Sequence, residues 1–148
     1  MTARLRAHGL PGVRTEIPVN PNPNMTVIWN PLAVGVPDVS GNHFRNYFPG
    51  SKYVDAYGNN YCNMSGVYAF HRTEGLYRAY PGKPFMFPEW GLTVDDPAYV
   101  KAFATFIRRH PRVRFVSFFN GPAGGPYDLG TKPRSRAAYR RFVTPLSD

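Results

Sequence analysis

A chain of 148 residues, 43% hydrophobic and 16% aromatic, is long enough for one domain with a buried core, which excludes a disordered tail. Its 16 prolines and 14 glycines imply many turns and short elements, the texture of loop-rich α/β proteins. The net charge of +9 raises the question of an anionic partner, while the lone cysteine, Cys62, excludes an internal disulfide and any paired-cysteine metal or redox motif.

In chain order, residues 3–8 read as the tail of a helix ended by Gly9 and Pro11. Residues 1–24 then form an N-terminal helix remnant and loop, and residues 25–148 form the main unit. The first eleven residues are basic but lack the apolar core of a secretory signal, and no stretch approaches the ~20 apolar residues of a membrane span. Met25–Trp29 is the first apolar run, closed by Asn30-Pro31. A loop from Pro31 to Gly50 leads to a second run, Tyr53–Tyr61, with an unusual polar pair, Asn59-Asn60. Thr73–Tyr80 is a short helix turning Leu76, Tyr77 and Tyr80 inward. The third run, Phe85–Phe87, leads to Glu89. Pro97–Arg109 is the clearest helix, with Asp95 or Asp96 as N-cap, Pro97 in the first turn, and Tyr99, Val100, Phe103, Phe106 and Ile107 on one stripe. The fourth run is Val113–Phe119, and a last helix spans Ser135–Val143. Near-continuous apolar runs separated by crossover lengths indicate parallel strands, hence an α/β fold.

The positive charge clusters at helix ends, in Arg108, Arg109, Arg112 and Arg114 around His110 and in Arg134, Arg136, Arg140 and Arg141. The helix dipole and solvated faces account for these positions. No nucleic-acid-binding pattern accompanies them, so nucleic acid is a disfavoured partner, whereas an anionic polysaccharide is compatible. His8, His43, His71 and His110 are dispersed, and Gly121–Pro126 has prolines where a phosphate loop needs N–H donors. Neither pattern calls for a metal or another cofactor.

Glu89 is the most informative residue. It closes Lys83-Pro84-Phe85-Met86-Phe87-Pro88-Glu89-Trp90-Gly91, a buried strand stopping at a lone acid between a proline and a tryptophan. Parallel β/α sheets place their chemistry at that rim. Two readings fit the motif alone: a catalytic carboxylate, or a strand-end acid hydrogen-bonded to the next loop.

Val27-Ile28-Trp29-Asn30-Pro31, Tyr47-Phe48-Pro49-Gly50 with Tyr53-Val54-Asp55, Gly82-Lys83-Pro84 to Glu89-Trp90-Gly91, and Phe115–Asn120 with Leu129–Pro133 and Ala138-Tyr139-Arg140 follow one another in a telling order. From Met25 to Val143 the chain resembles the C-terminal half of a (β/α)8-barrel glycoside hydrolase of the retaining clan, most like the family 26, β-mannanase-like group. The resemblance implies a partial (half) TIM barrel of about four β/α units corresponding to strands five to eight. It implies a polysaccharide substrate such as a β-mannan or β-glucan, and an extracellular parent protein. Glu89 would be the nucleophile, and Tyr61 the aromatic that hydrogen-bonds it. Trp29, Asn63 and Trp90 would line sugar subsites, although core packing or rim shielding is the alternative for each aromatic and fits Trp90 as well as sugar contact does.

Retaining glycosidases also need a carboxylic acid ~5–5.5 Å from the nucleophile, supplied in this clan by the fourth strand. That strand has no counterpart here. Asp38, Asp55, Glu74, Asp95, Asp96 and Asp128 sit at caps, loops or the far strand end, and Glu16 lacks the family's acid motif. The chain is therefore expected to be nearly inactive alone, and to be completed by a homodimer or by a missing N-terminal half, because a half barrel leaves two strand edges open. The alternative function is non-catalytic carbohydrate binding through Trp29, Tyr61 and Trp90.

Overall fold

The computed structural model describes residues 24–63 and 70–147. The helix tail expected at residues 3–8, and with it the division at residue 24, lies outside the described residues. The elements are β1 (Ile28–Trp29), β2 (Ala56–Gly58), β3 (Tyr61–Asn63), α1 (Phe70–Ala79), β4 (Phe85–Leu92), α2 (Pro97–Arg109), β5 (Val113–Phe118) and α3 (Pro133–Ala138). A π-helical turn, Tyr139–Val143, continues α3. No helix of the described residues is long and apolar enough to cross a membrane.

All pairings are parallel. β1 pairs with β2, and β4 pairs with β2, β3 and β5. Tyr57 and Gly58 face Phe85 and Met86, while Tyr61, Cys62 and Asn63 face Trp90, Gly91 and Leu92. Thus β2 and β3 are one strand interrupted at Asn59-Asn60, and among the described residues the sheet has four strands in sequence order, with short 3-10 turns between the first two, α1 between the second and third, and α2 between the third and fourth. The interruption has a cause: the buried Asn59 turns its amide out of the sheet, accepting from Ala33 N at 3.2 Å and donating to Thr73 Oγ1 of α1 at 2.9 Å.

β4 corrects the expectation that the third strand stops at Glu89. It runs on to Leu92 because neighbours on both sides offer partners beyond the acid: Phe119 N donates to Trp90 O at 2.8 Å and Thr93 N to Asn63 O at 2.9 Å. Pro88, which has no N–H to donate, falls within a register shift between Phe87 and Trp90 in the pairing with β5.

α2 forms at the expected bounds. Asp96 Oδ1 accepts from Tyr99 N at 3.0 Å, and Pro97 occupies the first helical position, where its missing N–H costs nothing. Asp95 caps a different helix. Its Oδ1 accepts from Ser135 N at 2.7 Å, the role that Lys132 at the N-cap of α3 does not fill. These bonds, with those from Arg134, outweigh the effect of burial and hold the Asp95 carboxyl below its ordinary range.

The helices cover one face of the sheet. Phe85, Phe87 and Trp90 of β4 are wholly buried there, with Phe87 4.9 Å and Trp90 4.0 Å from the Phe103 ring of α2. Burying each such side chain stabilises by roughly 1.5–3 kcal/mol. Tyr99, Val100, Phe103 and Phe106 are buried as expected, with Ile107 at the margin. Leu76 of α1 is buried, and Tyr77 and Tyr80 pack half-exposed against the core. The opposite face carries no described helix, and Phe115 and Phe119 are 50% and 43% exposed there.

Seven of the eight clustered arginines are exposed, but Arg112 departs from the solvated-face expectation. Its guanidinium lies 3.8 Å from the Tyr77 ring centre and donates to the carbonyls of Tyr77, Tyr80 and Lys83, tying the end of α1 to the start of β4.

Candidate active site

Side chains alternate across a strand, so each position's face follows from its neighbours. Trp29, Tyr57, Tyr61 and Trp90 all meet rings of the helix layer or the loop packed on it. Their alternates, Ile28, Asn30, Gly58, Asn60, Cys62 and Gly91, fall on the other face. Glu89 joins them, for the Cys62 thiol donates to Glu89 Oε1 at 3.8 Å. Glu89 is the one acidic residue carried by any of the five strands. It is half-buried, three residues before the end of β4 and on the helix-free face.

Tyr127 completes the group from the loop after β5. Its ring lies over Gly91, where an added Cβ would stand 3.2 Å from Tyr127 Cδ1 and 3.3 Å from the Phe119 carbonyl. The glycine therefore makes room for the phenol beside Glu89. Burial raises the Tyr127 pKa first, and the neighbouring Cys62 and Glu89 charges raise it further. Burial, the Glu89 charge and the hydrogen bond to it push the Cys62 thiol up to about 11, against a smaller opposing pull from the Gly91 backbone. Cys62 is thus a protonated donor at neutral pH, and the arrangement fixes a carboxylate oxygen rather than activating a thiolate.

The structure separates Glu89 from the other residues expected around it. The Tyr61 ring stacks with Tyr99 at 5.9 Å and lies 4.7 Å from Phe70, on the helix side. Cys62, the next residue, contacts the acid instead. Trp90 is fully buried between Phe103 and Tyr139, offering no ring face to a ligand, and its Nε1 has no hydrogen-bond partner among the described residues. Asn63 is buried and donates to Asp96 Oδ2 at 3.0 Å, bracing the start of α2. Trp29 sits in a cluster with Phe48 and Tyr80, each 4.9 Å away, and its flank borders a cleft of about 810 Å³ beside the outer edge of β1.

The six other described acids are engaged elsewhere. Asp38 pairs with Arg72, Asp55 accepts from Val27 N, and Glu74 binds Arg78 and His110. Asp95 and Asp96 serve helix starts, and Asp128 accepts from Gly124 N and Gly130 N. None hydrogen-bonds to Glu89, Cys62 or Tyr127. Glu16 lies outside the described residues. Among the described residues, no group of three His, Cys, Asp or Glu side chains could hold a metal ion.

The sequence motifs gave no site role to Cys62, Tyr127, Asn30 or Asn60. One signal was available: along Tyr57–Asn63 the alternate positions 58, 60 and 62 carry the small or polar Gly, Asn and Cys, unlike the aromatic positions 57 and 61. No protein-family model matches the chain, and no curated protein matches it significantly.

Proposed function

We propose that the chain is the nucleophile-bearing half of a retaining β-glycanase barrel, with Glu89 as the attacking carboxylate. The observation that carries this reading is the position of Glu89, the one acid on the described strands, near the C-terminal end of a sequentially ordered parallel sheet and on the face without described helices. In a closed barrel that face is the interior, and its C-terminal rim is where substrate sits. Cys62 and Tyr127 take the positioning role expected of Tyr61: the thiol fixes one carboxylate oxygen and the phenol closes the flank.

The reaction is a double displacement. A Glu89 oxygen forms a bond to the anomeric carbon as the bond to the leaving oxygen breaks, and water later cleaves the glycosyl ester. With a natural glycan the leaving oxygen needs a proton, and none of the described acids stands ready to give it. Strands from a second copy or from an N-terminal half would supply that acid and cover the open face. Carbohydrate binding without cleavage is the weaker reading, since the three aromatics it invoked, Trp29, Tyr61 and Trp90, face the helix layer.

The test removes the need for the acid. A mannoside or glucoside with dinitrophenolate as leaving group, and fluorine in place of the hydroxyl next to the anomeric carbon, departs without protonation and leaves a long-lived ester. Mass spectrometry is expected to find one glycosyl adduct per chain, mapped to Glu89 and absent in Glu89→Gln. No adduct on prolonged exposure to saturating probe, or an adduct that survives the substitution, overturns the assignment.

A further inference from the structure

Beside Glu89 the helix-free face carries a pair of amides. Asn30 follows β1 directly, and Asn60 lies in the interruption between β2 and β3. Asn30 Nδ2 donates to Asn60 Oδ1 at 2.7 Å. Asn60 falls between the Gly58–Met86 and Tyr61–Trp90 pairs, so it runs alongside the Phe87–Glu89 stretch of β4, one strand spacing of about 4.8 Å away.

The pair is built in. A Cβ on Gly58 would come within 3.0 Å of Asn30 Oδ1, 3.0 Å of Ile28 Cγ2 and 3.2 Å of the Met86 carbonyl, so the absent side chain at Gly58 leaves the floor on which Asn30 rests. Asn59, between the strands, is anchored on the other side through Ala33 and Thr73, which fixes the backbone that presents Asn60. The shared bond leaves Asn30 Oδ1 and Asn60 Nδ2 without partners among the described residues. Turning both amides over leaves the same complement, one acceptor and one donor side by side.

We propose that Asn30 and Asn60 form a diol-binding subsite for the sugar ring that Glu89 attacks. This inference rests on the glycanase reading and deepens it by naming the contacts. Two hydroxyls on adjacent ring carbons match the free complement: one donates to Asn30 Oδ1, and the oxygen of the other accepts from Asn60 Nδ2. The ligand class is a neutral pyranose with vicinal hydroxyls. An isolated amide would recognise one hydroxyl; the coupled pair recognises two and holds their relative orientation, which orients the ring beside the carboxylate.

The 148-residue chain, labelled with nitrogen-15, is titrated with mannotetraose and with cellotetraose while side-chain amide resonances are followed. Binding of at least one of them is expected to shift the Asn30 and Asn60 amide signals. Asn30→Ala and Asn60→Ala are each expected to raise Kd about tenfold. The double variant is expected to cost little more than either single one, because the two amides act as one unit. Asn60→Asp keeps an oxygen that accepts from Asn30 and replaces the free donor with a charged acceptor, so it guards against misfolding and is expected to weaken binding by losing the hydrogen bond to the accepting hydroxyl. Failure of both oligosaccharides to bind at millimolar concentration, or Kd values within about twofold of the parent in all variants, overturns the subsite. The glycosyl-trapping test separates the two claims. Labelling of Glu89 with unchanged saturation in the Asn variants retains the nucleophile and removes the subsite, whereas amide-dependent binding without labelling does the reverse.

Discussion

The contact between Cys62 and Glu89 can be tested through the thiol itself. Cys62 is the only cysteine in the chain, so alkylation by iodoacetamide reports on a single site. A thiol raised from 9.0 to about 11 has about one-hundredth of the ordinary thiolate population at any pH well below both values. Nucleophilicity rises with thiol pKa with a slope of about 0.4–0.5, which returns roughly one power of ten, so the folded chain at about pH 8 should react some tenfold more slowly than the unfolded chain. The decisive readout is the pH–rate profile, with its inflection near pH 11 in the parent. Glu89→Gln removes two of the three influences that raise the thiol, the charge and the charged acceptor, and leaves burial. Burial is the largest of the three, so its inflection should fall below the parent's while staying above 9, and its rate near neutrality should rise. An inflection near 9 in the parent, or the same inflection in both proteins, refutes the contact. The linkage has a matching sign: above about pH 9 the unfolded chain loses its thiol proton first, so stability falls as pH rises toward about 11.

Trp90→Ala should cost about 3–5 kcal/mol, because the ring is wholly buried against Phe103, Phe118 and Tyr139, and should lower Tm on the order of 10 °C. Trp90→Phe keeps the stack and removes the unpartnered N–H, so urea denaturation should show a much smaller loss; a cost under about 1 kcal/mol for the alanine variant contradicts the core assignment. Among the described residues β1 and β5 each have a single neighbour, and Phe115 is 50% exposed on the helix-free face. If a second copy completes the barrel, sedimentation velocity should show a dimer that Phe115→Lys shifts toward monomer; a monomeric parent removes that completion and leaves an N-terminal half as the remaining one.

The elements were legible because their signals are local, whereas the faces of the site residues were not. Asp96, Pro97 and Pro111 bracket α2 in the sequence, and its aromatic stripe has one period, so the helix appears at its expected bounds. The strand faces depend on phase. Expecting both Glu89 and Trp90 to face a ligand requires the strand to end at the acid, since adjacent residues within a strand point oppositely. β4 instead continues to Leu92, held by hydrogen bonds from Phe119 and Thr93, residues outside the apolar run. Counting by twos from Phe85 and Phe87 would place Glu89 among the helix-facing rings and turn Trp90 outward. The register shift between Phe87 and Trp90 inverts that count, burying Trp90 beside Phe87 and delivering Glu89 to the open face. Pro88 sits within that shift. The proline before the acid therefore marks where the alternation changes phase, and the carboxylate faces Cys62 because of that shift.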